Sequence, residues 1–175
     1  MRADAAWYEA AFVVGVTNAV NVVADALSVA SLKPVDDPNG DATLAVLFDD
    51  IRAFYARADV PSPFRVVAHD RGYATDLWGA VKRAFTDNVL GRRLKEALAF
   101  AVSLTTHSAF GAEFHLGEMR RLGVGERGVL EVLGVAQTFS SYAKIADTLQ
   151  LEPDMGRIAP SDTTPAPGGG PAASG

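Results

Sequence analysis

The run from Ala10 to Leu32 limits most strongly what this chain can fold into. It is apolar almost throughout and, on length alone, long enough to cross a bilayer. Asn18, Asn21 and Asp25 interrupt it at helical spacing, all on one face. A carboxylate facing lipid is costly, and no basic flank follows until Lys33. The pattern therefore predicts a helix buried in a core or between subunits. Met1 to Glu9 carries Arg2, Asp4 and Glu9, with no basic stretch leading straight into an apolar core, which argues against a secretory leader. No membrane partner and cytoplasmic residence are the expectations.

The rest of the chain reads as helix. Apolar periodicity places helices at roughly 5–32, 41–57, 72–87, 89–107, 109–122 and 126–149. No long run alternates apolar with polar residues, so no strand competes. Pro34, Pro38 and Gly40 break the first junction, and Val60 to Phe64 reads VPSPF. Gly123 suits the left-handed position just past a helix end. One helical domain over 1–152 is expected, followed by a tail over 153–175. Its last part, PSDTTPAPGGGPAASG, has almost no apolar bulk to offset the entropy of ordering and is expected to be flexible.

Composition then removes whole classes of function. A net charge of −5 and no basic run argue against nucleic acid as a partner. The absence of cysteine removes disulfides, thiolate catalysis, iron–sulfur clusters and cysteine zinc sites. His69, His107 and His115 are too few and scattered for a metal cage. No metal and no cofactor are expected.

The helix over 89–107 carries an apolar stripe of Leu94, Leu98, Ala101, Val102 and Thr105, with Arg92, Arg93 and Lys95 outside it. Glu96 sits among apolar turns and is expected to be at least partly buried. Leu94 to Leu149 resembles the motif of the alkylhydroperoxidase (AhpD)/carboxymuconolactone decarboxylase superfamily. In its redox-active members a glutamate on one helix is followed, twelve residues on, by a Cys-x-x-Cys pair opening the next helix. A histidine follows four residues after the second cysteine. Here those places hold Glu96, Ser108, Gly111 and His115. Spacing matches at every position, and identity at two of four. A weaker similarity runs back over Leu47 to Phe85. There VPSPFRVVAHDRGYATDLWGAVKRAF is similar to AhpD-like peroxidase-related proteins and to cofactor-independent α-haloacid dehalogenases.

The resemblance implies an all-α, AhpD-like fold assembled as a homo-oligomer, a trimer or hexamer, with Glu96 and His115 facing a shared cavity. Thiol peroxidase chemistry is excluded: a hydroxyl at Ser108 cannot cycle through a sulfenic acid, and Gly111 has no side chain. Ser108 reads first as the N-cap of its helix, with a nucleophile or a substrate-binding hydroxyl as the alternative. His115 is on the order of two turns away, about 10 Å in rise, too far for a Ser–His pair. Gly111 reads as close helix packing or as room for a ligand. Glu96 and His115 read either as a buried bond tying two helices or as a catalytic acid/base pair. Tyr142 and Gln137, on the last helix, are further candidates for lining the cavity. His107 is read as a cap on the preceding helix, and His69, with Asp70 and Arg71, as a solvated loop group. Trp78 with Phe85 and Trp7 with Phe12 read as core or subunit contacts.

Three functions follow. The first is a cofactor-free lyase or decarboxylase acting on a small organic acid, with His115 exchanging the proton and Glu96 orienting it. The second is a ligand-binding or scaffold protein without turnover. The third is a hydrolytic dehalogenase, which needs Asp70 or Asp76 to activate water.

Overall fold

The computed structural model describes residues 3–30, 32–38 and 40–152. The tail expected over 153–175 lies outside these residues. Seven helices follow one another: α1 (Ala3–Ala30), α2 (Ala42–Tyr55), α3 (Ser62–Val67), α4 (Arg71–Phe85), α5 (Arg92–Thr105), α6 (Ala109–Arg121) and α7 (Glu126–Leu149). No strand occurs among the described residues, so the all-α expectation holds.

The caps show why several of these helices start where they do. Asp41 accepts from the Thr43 and Leu44 amides at 2.9 and 3.1 Å, and Asp70 from the Tyr73 amide at 3.0 Å. Apolar periodicity predicts a break over 58–71, yet α3 forms there. Pro61 serves as its N-cap residue and Pro63 falls in its first turn. A proline is tolerated there because first-turn amides have no intrahelical acceptor.

α1 packs across the other helices, against α5, α4, α6 and α3. By length and composition it could span a membrane, but one face is buried here and carries Glu9, Val13, Thr17 and Asn21. α2, α3 and α4 enclose the main core, where Phe48, Ile51, Tyr55, Phe64, Trp78, Val81 and Phe85 pack together. Each such side chain contributes roughly 1.5–3 kcal/mol by leaving water. Trp78 is edge-on to both Phe54 and Phe64, and its indole donates to Asp50 at 2.7 Å. Trp7, by contrast, is 76% exposed and is not a core residue.

α5 overturns a simple reading of its own pattern. The buried residues are Lys95, Glu96, Ala99, Phe100 and Ser103. The apolar stripe of Leu94, Leu98, Ala101, Val102 and Thr105 faces outward into an open groove beside Val14 and α7. Polar groups turned inward because each finds a partner. The Lys95 ammonium is fully buried against the Glu9 carboxylate and the Thr86 carbonyl. Burial pushes Glu9 up, but hydrogen bonds from Lys95 and the Leu90 and Val89 amides, with the Lys95 charge, hold it below its ordinary value.

α5 and α6 form a tight hairpin. His107 takes a left-handed conformation, φ 61°. Its amide bonds to Leu104, and the Ser108 amide reaches back to the Ser103 carbonyl at 3.0 Å. That is a Schellman turn, and Ser108 then opens α6 as its N-cap. The capping of α5 comes from backbone amides; the His107 imidazole makes no hydrogen bond among the described residues.

Candidate active site

The hairpin sets Glu96 and His115 against each other. Nδ1 of His115 lies 2.7 Å from Oε2 of Glu96, and both side chains are buried. Arg92, one turn before Glu96, donates from Nε to Oε1 at 2.5 Å. Both carboxylate oxygens are thus occupied, one by guanidinium and one by imidazole. With Nδ1–H donating to the carboxylate, the lone pair of the neutral ring lies on Nε2.

Arg92 is itself enclosed. Its guanidinium lies 4.3, 5.2 and 5.4 Å from the ring centroids of Phe54, Tyr55 and Phe85. It also reaches the buried carboxylate of Glu118 at 3.4 Å, which Arg121 grips at 2.6 Å from the surface side. A charged chain therefore runs from His115 through Glu96, Arg92 and Glu118 to Arg121. Burial, reinforced by the Glu96 and Glu118 charges, pushes the Tyr55 phenol far above its ordinary value and keeps it a neutral hydroxyl.

The imidazole ring is fixed from two sides. Phe85 stacks on it at 5.6 Å and Phe114 meets it edge-on at 5.3 Å. His115 borders a small chamber with Thr17, Val20, Tyr55, Pro61, Phe64, Val81, Phe85, Phe110 and Phe114. Its volume is about 20 Å³, room for one water. No Asp, Glu, Lys or Arg lines it.

Ser108 and Gly111 sit at the start of α6 and meet α1. The Ser108 hydroxyl accepts from the Gly111 amide at 3.3 Å and donates to Asp25 at 3.0 Å. It caps a helix and has no imidazole partner. Beside Gly111 there is no room: an added Cβ would lie 2.1 Å from Asn21 Oδ1 and 2.4 Å from Ser103 Oγ. Of the two readings of Gly111, the geometry gives close packing. Asn21 is anchored there by donating to Ser103 and Thr106 at 3.1 and 3.2 Å.

Tyr142 and Gln137 are not brought to this site. Both are exposed on α7, which packs on α5. In the sequence their helix follows the motif directly, but α7 departs along the outer face of α5 and never reaches the chamber. Asp70 is the α4 cap, Asp76 is exposed, and neither lines the chamber. His69 is exposed with a bond to the Lys33 carbonyl at 2.9 Å.

Sequence reasoning missed Arg92, Glu118, Tyr55 and Thr17. Arg92 and Glu118 had a readable signal. Arg92 precedes Glu96 by four residues, and Glu118 follows His115 by three, so helical geometry places both pairs on shared faces. Tyr55 and Thr17 come from distant helices and left no such trace.

Comparison with known proteins agrees with this geometry. Residues 72–151 match the profile of the carboxymuconolactone decarboxylase family. The fold is similar to the crystal structure of the alkylhydroperoxidase AhpD core from Rhodospirillum rubrum, with a TM-score of 0.67 at 23% identity. That match covers 71% of this chain and 94% of the other. No curated protein matches. The profile match bears out the resemblance to the carboxymuconolactone decarboxylase family over that segment, and the structural match shows a shared fold with the AhpD core.

Proposed function

For an AhpD-like chain with a carboxymuconolactone decarboxylase segment and no thiol, we propose cofactor-free acid/base catalysis of the decarboxylase or lyase type on a small organic acid. The observation that carries this reading is the buried Glu96–His115 contact of 2.7 Å, backed by Arg92 and opening through the imidazole onto an aromatic chamber. Such a site supplies one proton in a water-poor setting, where a fixed charge acts more strongly than in solution.

The chemistry assigns each residue a task. In a decarboxylation the substrate's carbon–carboxylate bond breaks and carbon dioxide leaves. The electron pair stays on the adjacent carbon. The imidazolium Nε2–H of His115 gives its proton to that carbon, forming the new C–H bond. Solvent then returns a proton to Nε2. Glu96 holds the Nδ1–H and stabilises the ring while it is charged, and Arg92 keeps Glu96 in place.

His115→Gln and Glu96→Gln test the reading. Each should abolish turnover of a small-acid substrate while circular dichroism and the melting curve stay those of a folded helical protein. Turnover unchanged in either variant overturns it.

A second reading has one observation in its favour. The chamber of about 20 Å³ leaves no space for the body of a substrate, which suits a scaffold, or a protein that binds its ligand elsewhere, that has lost catalysis. It predicts a Tm that rises with a particular metabolite and no turnover of it. A broad panel at saturating concentration without any Tm rise counts against it.

Assembly as a homo-oligomer, a trimer or hexamer, belongs to the same proposal. α7 buries no side chain in the single chain, and Leu130, Val135, Phe139, Tyr142 and Ile145 are all more than half exposed. Exposed apolar surface of that extent marks an interface.

A further inference from the structure

We infer that the chamber beside His115 is a subsite for one uncharged oxygen atom, held between the Thr17 hydroxyl and the His115 imidazole. In the resting protein the oxygen is that of a water. In turnover it is the keto or hydroxyl oxygen of the substrate, held by the Thr17 hydroxyl beside His115 so that the Nε2 proton serves the adjacent carbon, while the carboxylate stays outside. The second statement rests on the catalytic reading above; the first does not.

The key residue is Thr17, which has no part in the proton transfer described so far. Its side chain is 1% exposed, lines the chamber, and its Oγ1 has no hydrogen-bond partner. A buried hydroxyl without a partner costs about 1–3 kcal/mol and calls for an occupant. Threonine in a helix usually satisfies itself by donating to a carbonyl four residues back, as Thr75, Thr86 and Thr148 do here. Thr17 does not.

Around it the structure leaves further polar atoms unengaged. Only Nδ1 of His115 has a hydrogen-bond partner among the described residues, and the Tyr55 phenol, also lining the chamber, has none. A void of about 20 Å³ lined by Thr17, His115 and Tyr55, each with an unengaged polar atom, meets the needs of one bound water.

The register of the helices makes the placement specific. Thr17 and Asn21 are four apart on α1, and Gly111 and His115 are four apart on α6. Asn21 is locked against Gly111, which sets Thr17 one turn along, beside His115. The chamber's lining also fixes the charge of its occupant. With no Lys or Arg there, the one cation a carboxylate could meet is an imidazolium whose charge Glu96 already balances, whereas a carbonyl or hydroxyl needs only the donors present. Phe110 and Phe114 line both this chamber and an outer groove, so the substrate's body and charged end lie on the outer side of those rings.

Three measurements on the full chain test this. In a crystal structure at high resolution, a water should lie within hydrogen-bond distance of Thr17 Oγ1 and His115 Nε2, and should be absent in Thr17→Val. An empty chamber in the wild type overturns the resting-state statement. Thermal melting gives a second sign. If the hydroxyl is truly orphaned, Thr17→Val raises Tm; with a bound water, Tm stays level or falls. A Tm rise in Thr17→Val therefore also overturns the proposal.

The third measurement is an NMR titration of the His115 ring with levulinate, pentanoate and glutarate. Levulinate, the keto acid, should bind roughly tenfold more tightly than pentanoate, the equivalent of one hydrogen bond. Thr17→Val should erase that preference. Glutarate binding as well as levulinate, an unchanged preference in Thr17→Val, or no binding of levulinate overturns the substrate statement. Levulinate selectivity alongside no turnover of any acid leaves the oxygen subsite standing and sinks the catalytic reading instead.

Discussion

Substituting Gly111 by alanine tests the claim that α1 has taken over the space of the second motif position. The new Cβ would meet Asn21 Oδ1 at 2.1 Å and Ser103 Oγ at 2.4 Å. Neither atom can retreat freely, since Asn21 donates to both Ser103 and Thr106. Overpacking of this kind costs about 1–3 kcal/mol, and displacing the amide strains two hydrogen bonds of about 1 kcal/mol each. Gly111→Ala alone should therefore lose about 2–4 kcal/mol. Asn21→Ala alone should lose about 1–3 kcal/mol, through its bonds and a small void. In the double variant the alanine methyl enters the space the amide has left, and Ser103 gains room to turn. The double loss should then fall short of the sum by at least about 1 kcal/mol. Urea unfolding of the four proteins, with the slope held constant, gives the cycle. Losses that add within about 0.5 kcal/mol would show that Asn21 and Gly111 do not share one space. Reinstalling a cysteine at 111 would meet the same obstacle.

Other perturbations read different parts of the fold. Val135→Asp with Phe139→Asp, on the open face of α7, should shift sedimentation from an oligomer to the 18.4 kDa chain without loss of helicity; a wild type that already sediments as one chain removes the interface. Stability should fall as pH drops, because two carboxyls are held below their ordinary values of 4.5 and 3.8 in the fold: Glu9, where bonds from Lys95 and two amides outweigh burial, and Asp50, by hydrogen bonds from Lys82 and Trp78. Their contribution is complete above about pH 4.5 and is lost as pH falls through the folded values. Asp50→Asn should flatten that acid limb, and an unchanged slope refutes the assignment. Ser108→Ala removes an N-cap and should cost about 1 kcal/mol in urea unfolding; a far larger loss would point to a role beyond capping.

What the sequence disclosed follows from how locally each feature is encoded. Glu96 and His115 lie nineteen residues apart on consecutive helices, so one hairpin turn decides whether they meet. Ser108 announced itself as a cap because capping is a matter of three residues. Tyr142 and Gln137 failed because adjacency in sequence says nothing about which side of α5 the last helix takes. The face of α5 was misread for a related reason. Apolar residues normally mark the inner face, but here the inner face holds Lys95 and Glu96, whose partners Glu9, Arg92 and His115 come from other turns and helices. No periodicity analysis sees such partners.

That inversion bears on why the charges are there at all. Glu96, Glu118 and Lys95 are each at least 98% buried, and the chain linking His115 to Arg121 alternates in sign along its length. Each link depends on the next, since a buried charge stripped of its partner costs about 3–5 kcal/mol. Yet replacing a whole buried ionic group by apolar side chains of similar volume is commonly neutral or stabilising. Folding alone therefore does not call for this chain where Phe54, Tyr55 and Phe85 already supply apolar bulk around Arg92. What it does provide is a carboxylate fixed in position with a charged partner, and through it an imidazole held in one orientation at the edge of a chamber. An apolar core cannot supply that property. The physical case for a working proton at His115 thus rests as much on the arginine behind Glu96 as on the histidine itself.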